Sequence, residues 1–142
     1  MKSLNVNYKE RVINRIKQNK FMHHIGFSIN QIEEGIVSGD IHMKNELSQQ
    51  DGFLHGGVTS SLCDIVAGFA AYTLIKKNQR VMTAEIKVSY YKPGKGSKFI
   101  AIGKVVKAGA KILFCTAQIF DIENLSKPIT EATTTMAVIE DS

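Results

Sequence analysis

Apolar positions change their spacing several times along this chain, and each change marks an element. Over residues 1–20, Val6, Val12, Ile13 and Ile16 recur at helical spacing among polar and charged neighbours, which predicts an amphipathic N-terminal helix on the surface. From Gly26 to Lys44 the spacing drops to two. The runs Phe27-Ser28-Ile29-Asn30 and Ile36-Val37-Ser38-Gly39-Asp40-Ile41 flank Glu33-Glu34-Gly35 and predict a hairpin. Residues 57–77 then read as one long helix: no proline interrupts them, and the cations and Asn of Lys76-Lys77-Asn78 suit a helix C-terminus. At about 100° per residue, Val58, Leu62, Ile65, Phe69 and Tyr72 share one face, with Ser60, Asp64, Ala67, Gly68 and Ala71 opposite. So little of this helix is charged that burial is expected.

Period two returns in Thr83-Ala84-Glu85-Ile86-Lys87-Val88-Ser89-Tyr90, where strict alternation puts Thr83 on the polar face. Three further strand runs follow, Phe99 to Val106, Ile112 to Ile122 and Ile129 to Ile139, separated by Pro93-Gly94-Lys95-Gly96, Ala108-Gly109-Ala110 and Glu123-Asn124-Leu125-Ser126. Turns this short favour antiparallel neighbours. The expectation is an α+β fold, one long buried helix held against a mainly antiparallel sheet.

Composition narrows the picture. A chain of 142 residues with 44% hydrophobic content can bury one core, and it reads as a single domain, 1–142. The segment from Met1 to Asn7 has no apolar run of signal-peptide length, so a cytoplasmic location is expected. Ile65 to Ile75 is too short for a membrane span, which needs roughly 20 apolar residues. Cys63 and Cys115 sit among apolar neighbours and read as buried small hydrophobes. With 18 Lys+Arg against 13 Asp+Glu, the net charge of +5 favours an anionic partner without identifying it.

The chemistry concentrates in Gln49-Gln50-Asp51-Gly52-Phe53-Leu54-His55-Gly56-Gly57, which runs into the helix carrying Asp64. Glycines at a helix start let a ligand approach free backbone N–H groups, and the helix dipole favours negative charge there. Such donors can hold an oxyanion. A mid-helix carboxylate with small neighbours has room beside it for a substrate and can act as nucleophile or general base. The bland alternatives are a plain Gly-Gly turn and a structural Asp64 bonded to Ser60 or Ser61. His55 and Asp64 are nine positions apart, about two and a half turns and roughly 13 Å along a helix, so they point to opposite sides. If both act on one substrate, the simplest arrangement pairs two copies across a two-fold axis, His55 from one and Asp64 from the other.

The pattern Gln49-x-x-Gly52-x-x-His55-Gly56-Gly57, with an acidic residue nine after the histidine, closely resembles the PaaI-like branch of the hot-dog-fold thioesterases. The likeness runs from about Gly26 to Ile139 and includes Tyr90-Tyr91-Lys92-Pro93 and the Lys107-Ala108-Gly109 turn. It implies a sheet wrapped around a central helix, homodimers that pair into tetramers, and hydrolysis of acyl-CoA without a cofactor or metal. By that resemblance Asp64 is the catalytic carboxylate and the Gly56 N–H polarises the thioester carbonyl. Gln49 assists at the carbonyl, His55 lies near the sulfur, and Thr83 orients water or the carboxylate. Gly57, Phe53, Tyr90, Lys92, Lys107 and Gly109 are the implied substrate-binding residues. Lys92, Lys95 and Lys98 around one turn, and Lys107 and Lys111 around another, stand where relatives hold the CoA phosphates.

Other classes fit less well. Ser60 and Ser61 lack the G-x-S-x-G elbow of a serine hydrolase. His23-His24 and His42 lack partners at metal-ligand spacing, Val58-Thr59 replaces the Lys-Ser/Thr of a P-loop, and no aromatic-rich basic motif supports nucleic-acid binding. Two rivals stay open at this stage: a hot-dog dehydratase acting on enoyl thioesters, and an acyl-CoA-binding module without turnover.

Overall fold

A computed structural model describes residues 1–142. Six strands form one sheet in the order β1-β2-β4-β5-β6-β3, every neighbouring pair antiparallel. β1 (Phe27–Glu33) and β2 (Ile36–His42) make the expected hairpin, turning at Gly35, whose φ of 75° is in the left-handed region that glycine favours. β3 (Gln79–Tyr90), β4 (Lys98–Ala108), β5 (Ile112–Asp121) and β6 (Thr130–Glu140) complete the sheet, and β4, β5 and β6 alternate between a face toward the core and a solvated face. The architecture is α+β, as expected. One connection departs from expectation: the short segment 91–97 does not join neighbours but carries the chain from β3 at the sheet's edge to β4 between β2 and β5.

The N-terminal region is two helices rather than one. α1 (Tyr8–Gln18) stops at Asn19, whose side chain accepts from the Met22 N–H at 3.0 Å and so starts α2 (Lys20–Ile25). α1 lies outside but is anchored, because Val12 is fully buried.

α3 (Gly56–Tyr72) is the central helix, and the sheet curves around it. It ends five residues before the expected 77. Thr73 is fully buried and its hydroxyl donates to the Ala70 carbonyl at 2.6 Å while accepting from the Gly35 N–H at 2.7 Å. That tertiary bond ends the helix and turns Leu74 and Ile75 into the core. The wheel of α3 also needs correction. Its wholly buried face is Leu62, Cys63, Val66, Ala67, Ala70 and Ala71, so the small alanines face the sheet. The reason is Gly103 on β4: a Cβ there would stand 2.3 Å from the Val66 carbonyl oxygen. Backbone meets backbone at that crossing. Asp64, Gly68 and Phe69 are left half-buried on the other side.

Candidate active site

His55 opens α3. Its backbone is extended (φ −63°, ψ 134°), and its Nδ1 accepts from the Gly57 N–H at 2.8 Å, the bond an N-cap side chain makes. Accepting at Nδ1 places the neutral ring's proton on Nε2. The His55 carbonyl receives the N–H groups of Val58 and Thr59. Gly57, Val58 and Thr59 are thus satisfied, whereas the Gly56 N–H donates to no group of the chain. A His55→Ala variant is expected to lose about 1 kcal/mol of stability through the missing cap, measured by urea unfolding.

The Gly56 peptide is held from the other side by Tyr90. The Tyr90 hydroxyl donates to the Gly56 carbonyl at 2.9 Å, joined there by Thr59 Oγ1 at 2.9 Å. The phenol ring lies so close that a Cβ on Gly56 would meet it at 3.3 Å. Gly56, Gln49, Phe53, Tyr90 and Lys92 line one cavity of about 310 Å³. Within it the Gln49 side chain is spent on its own loop: Oε1 accepts from the Asp51 N–H at 2.5 Å and the Phe53 N–H at 3.2 Å. Gly52 completes that loop at φ 85°.

Asp64 stands two turns further along α3 and lines a different cavity, an open cleft of about 620 Å³. Its Oδ1 accepts from the Thr83 hydroxyl at 2.6 Å, and no other side chain of the protein bonds it. The hydroxyls of Ser60 and Ser61 are therefore not its partners; Ser61 Oγ donates instead to the Gly57 carbonyl at 2.7 Å. Thr83 reaches Asp64 because β3 breaks its alternation. A β-bulge between Thr83 and Glu85 shifts the register, so Thr83 pairs with the buried Met136 and Ile86 with the buried Thr134. Both therefore face the helix, which strict alternation forbids.

Cys63 precedes Asp64 but is no nucleophile. Burial, followed by the Asp64 charge, pushes its thiol up to about 12, and the thiolate is the reactive form.

The expected site residues thus divide between two places. Gly56, Gln49, Phe53, Tyr90 and Lys92 share one cavity, Asp64 and Thr83 the other. His55, Gly57, Lys107 and Gly109 line neither: His55 and Gly57 form the cap of α3, Lys107 lies at a bulge near the end of β4, and the Gly109 N–H closes the following turn on the Ile112 carbonyl at 2.8 Å. Of the basic side chains, Lys92 and Lys95 border a further cleft together with Lys127, which the sequence reading did not single out. Lys98 is drawn to Asp40, 3.8 Å away. Arg15 and Gln18 of α1 also line the Asp64 cleft and were not foreseen. A signal existed, since Arg11 and Arg15 are four apart on one helix, a like-charge spacing that costs an isolated helix stability unless something offsets it.

Residues 51–126, more than half the chain, match the thioesterase superfamily. The chain belongs to that superfamily. Among solved structures it is similar to a thioesterase family protein from Silicibacter pomeroyi, with a TM-score of 0.90 at 28% identity, covering 94% of this chain and 98% of that one. The PaaI protein of the Escherichia coli phenylacetic acid degradation operon shares the fold, with a TM-score of 0.84 at 14% identity over 96% of each chain. In sequence it is 30% identical over 98 residues to the medium/long-chain acyl-CoA thioesterase YigI of Escherichia coli, covering 60% of this chain and 62% of that relative. The match thus spans less than two thirds of that relative's length. For this thioesterase, no helix is long and apolar enough to cross a membrane.

Proposed function

We propose that this thioesterase hydrolyses acyl-CoA at sites shared between two subunits, the Gly56 donor from one and the Asp64–Thr83 pair from the other. The observation that carries the reading is the division itself: an unused N–H at a helix start in one cavity and a fixed carboxylate in another. β3 supports the pairing. It is a twelve-residue edge strand, and an edge strand presents unpaired N–H and C=O groups to a partner. Gly56 lies against Tyr90 at one end of β3, and Asp64 against Thr83 nearer the other. A two-fold axis crossing β3 between Ile86 and Lys87 sets Tyr90 of each subunit opposite Thr83 of its partner.

At such a site Asp64 takes a proton from water as the water oxygen attacks the thioester carbonyl. The Gly56 N–H holds the oxyanion that forms. Collapse of that intermediate breaks the carbon–sulfur bond, and CoA leaves as the thiol, taking up the proton. Direct attack by Asp64, giving an anhydride that water then opens, is the other route for the same carboxylate. Thr83 fixes the rotamer of Asp64 in either case. Lys92, Lys95 and Lys127 supply positive charge for the CoA phosphates at the neighbouring cleft, where they outnumber the carboxylates of Asp121 and Glu123.

Subunit complementation tests the shared site. Asp64→Asn removes one half. Gly56→Pro removes the other, because proline lacks the N–H yet is tolerated at the first helical position and the ψ of His55 suits a residue before proline, with Gly56→Ala, which brings the same Cβ to Tyr90 but keeps the N–H, as its control. Asp64→Asn and Gly56→Pro are each expected alone to be nearly inactive in a thiol-release assay. Co-expressed, half of the dimers are mixed and each carries one intact site of two, so activity returns to about a quarter of wild type. No recovery in demonstrated mixed dimers would place both halves in one subunit and overturn the arrangement.

A further inference from the structure

The open cleft that holds Asp64 has an apolar wall of Ile65, Phe69, Val81 and Met136, and one cation, Arg15, also lines it. The Arg15 side chain makes no hydrogen bond and no ion pair within the chain, and its guanidinium lies 5.6 Å from the centre of the Tyr72 ring. A second guanidinium, Arg11, sits over the same ring at 4.2 Å. Arg11 is occupied: it donates to the carbonyls of Lys76, at 2.7 Å, and Gln79. Two like charges therefore gather at one nearly buried aromatic ring; Glu10 shares a surface pocket with both but forms an ion pair with neither, and only Arg15 keeps its planar fork of donors free. Gln18, also without a side-chain partner, lines the cleft beside it.

We propose that Arg15 is a specificity-determining residue that binds a carboxylate at the far end of the acyl group, so that the preferred substrates are ω-carboxyacyl-CoA esters. The inference rests on the acyl-CoA thioesterase reading and adds the class of acyl group. Its scale fits. Tyr72 lies eight residues beyond Asp64 on α3, about 12 Å along the axis at 1.5 Å per residue. A medium-length acyl chain with its thioester at Asp64 spans that distance along the apolar wall. A bidentate guanidinium–carboxylate pair is the contact that Arg makes better than Lys.

The test compares thiol release from decanedioyl-CoA and decanoyl-CoA by wild type and by Arg15→Gln, an exposed substitution whose fold is checked by thermal melting. The wild type is expected to favour decanedioyl-CoA in kcat/KM by on the order of tenfold, the size of one charge-assisted hydrogen bond. Arg15→Gln is expected to erase that preference by lowering only the decanedioyl value, leaving decanoyl-CoA within about twofold. Equal use of both esters by the wild type, or an equal loss on both in the variant, overturns the role of Arg15 while leaving the thioesterase reading intact. Release of thiol from neither ester overturns both.

Discussion

Asp64→Asn is expected to lower kcat for acyl-CoA hydrolysis by about 10³-fold, within the range general-base or nucleophilic groups supply, with the fold unchanged. The substitution keeps side-chain volume and an oxygen that can accept from Thr83, so the 2.6 Å bond that fixes the rotamer survives. What it removes is the charge, and with it the ability to take a proton from water or attack a carbonyl. Because the substrate's CoA portion lies at the basic cleft and not at Asp64 in the proposed arrangement, KM should change little. Steady-state thiol release with a thermal melt alongside measures both. A variant that melts normally and turns over at near-wild-type kcat would remove Asp64 from the chemistry.

Gly103→Ala is expected to destabilise the domain by about 4 kcal/mol, a large part of the roughly 5–15 kcal/mol such domains possess. The added Cβ would stand 2.3 Å from the Val66 oxygen, 2.4 Å from the Val66 carbonyl carbon and 2.7 Å from the Ala67 nitrogen. These are backbone atoms of α3 and cannot rotate aside. The helix must lift from β4, opening the contact lined by Ala67, Ala70 and Ala71 and shifting Asp64 on its far side. Urea unfolding gives the loss directly. A midpoint shift equivalent to less than 1 kcal/mol would contradict so close a crossing.

The two cases differ in how far the sequence shows them. Asp64 stands out in it as the one carboxylate in an apolar helix just after His55-Gly56-Gly57. Gly103 does not, since a glycine in a strand looks the same whether it faces solvent or a helix backbone. Thr83 is intermediate. Its place in the motif is readable, but strict alternation turns it away from the helix, and only the bulge before Glu85 brings it to Asp64. The end of α3 differs from the local signal for a similar reason: Lys76-Lys77-Asn78 is a good local stop, but the Thr73–Gly35 bond, across 38 residues, acts first.

By itself the sequence determined the fold class and most of the elements. Period-two spacing reports which side of β4, β5 and β6 meets the core, because burial of apolar surface enforces that locally, whereas the buried face of α3 was set by the backbone contact at Gly103. The spacing of His55 and Asp64, nine residues of helical rise, likewise sets them on opposite sides of one helix. The order of strands, the crossing at Gly103 and the bulge at Thr83 were decided only by tertiary structure, because each depends on partners distant in the chain. The same holds for Arg15. Nothing near it in sequence says that α1 folds over Tyr72, and only that packing sets its unpaired guanidinium along the Asp64 cleft.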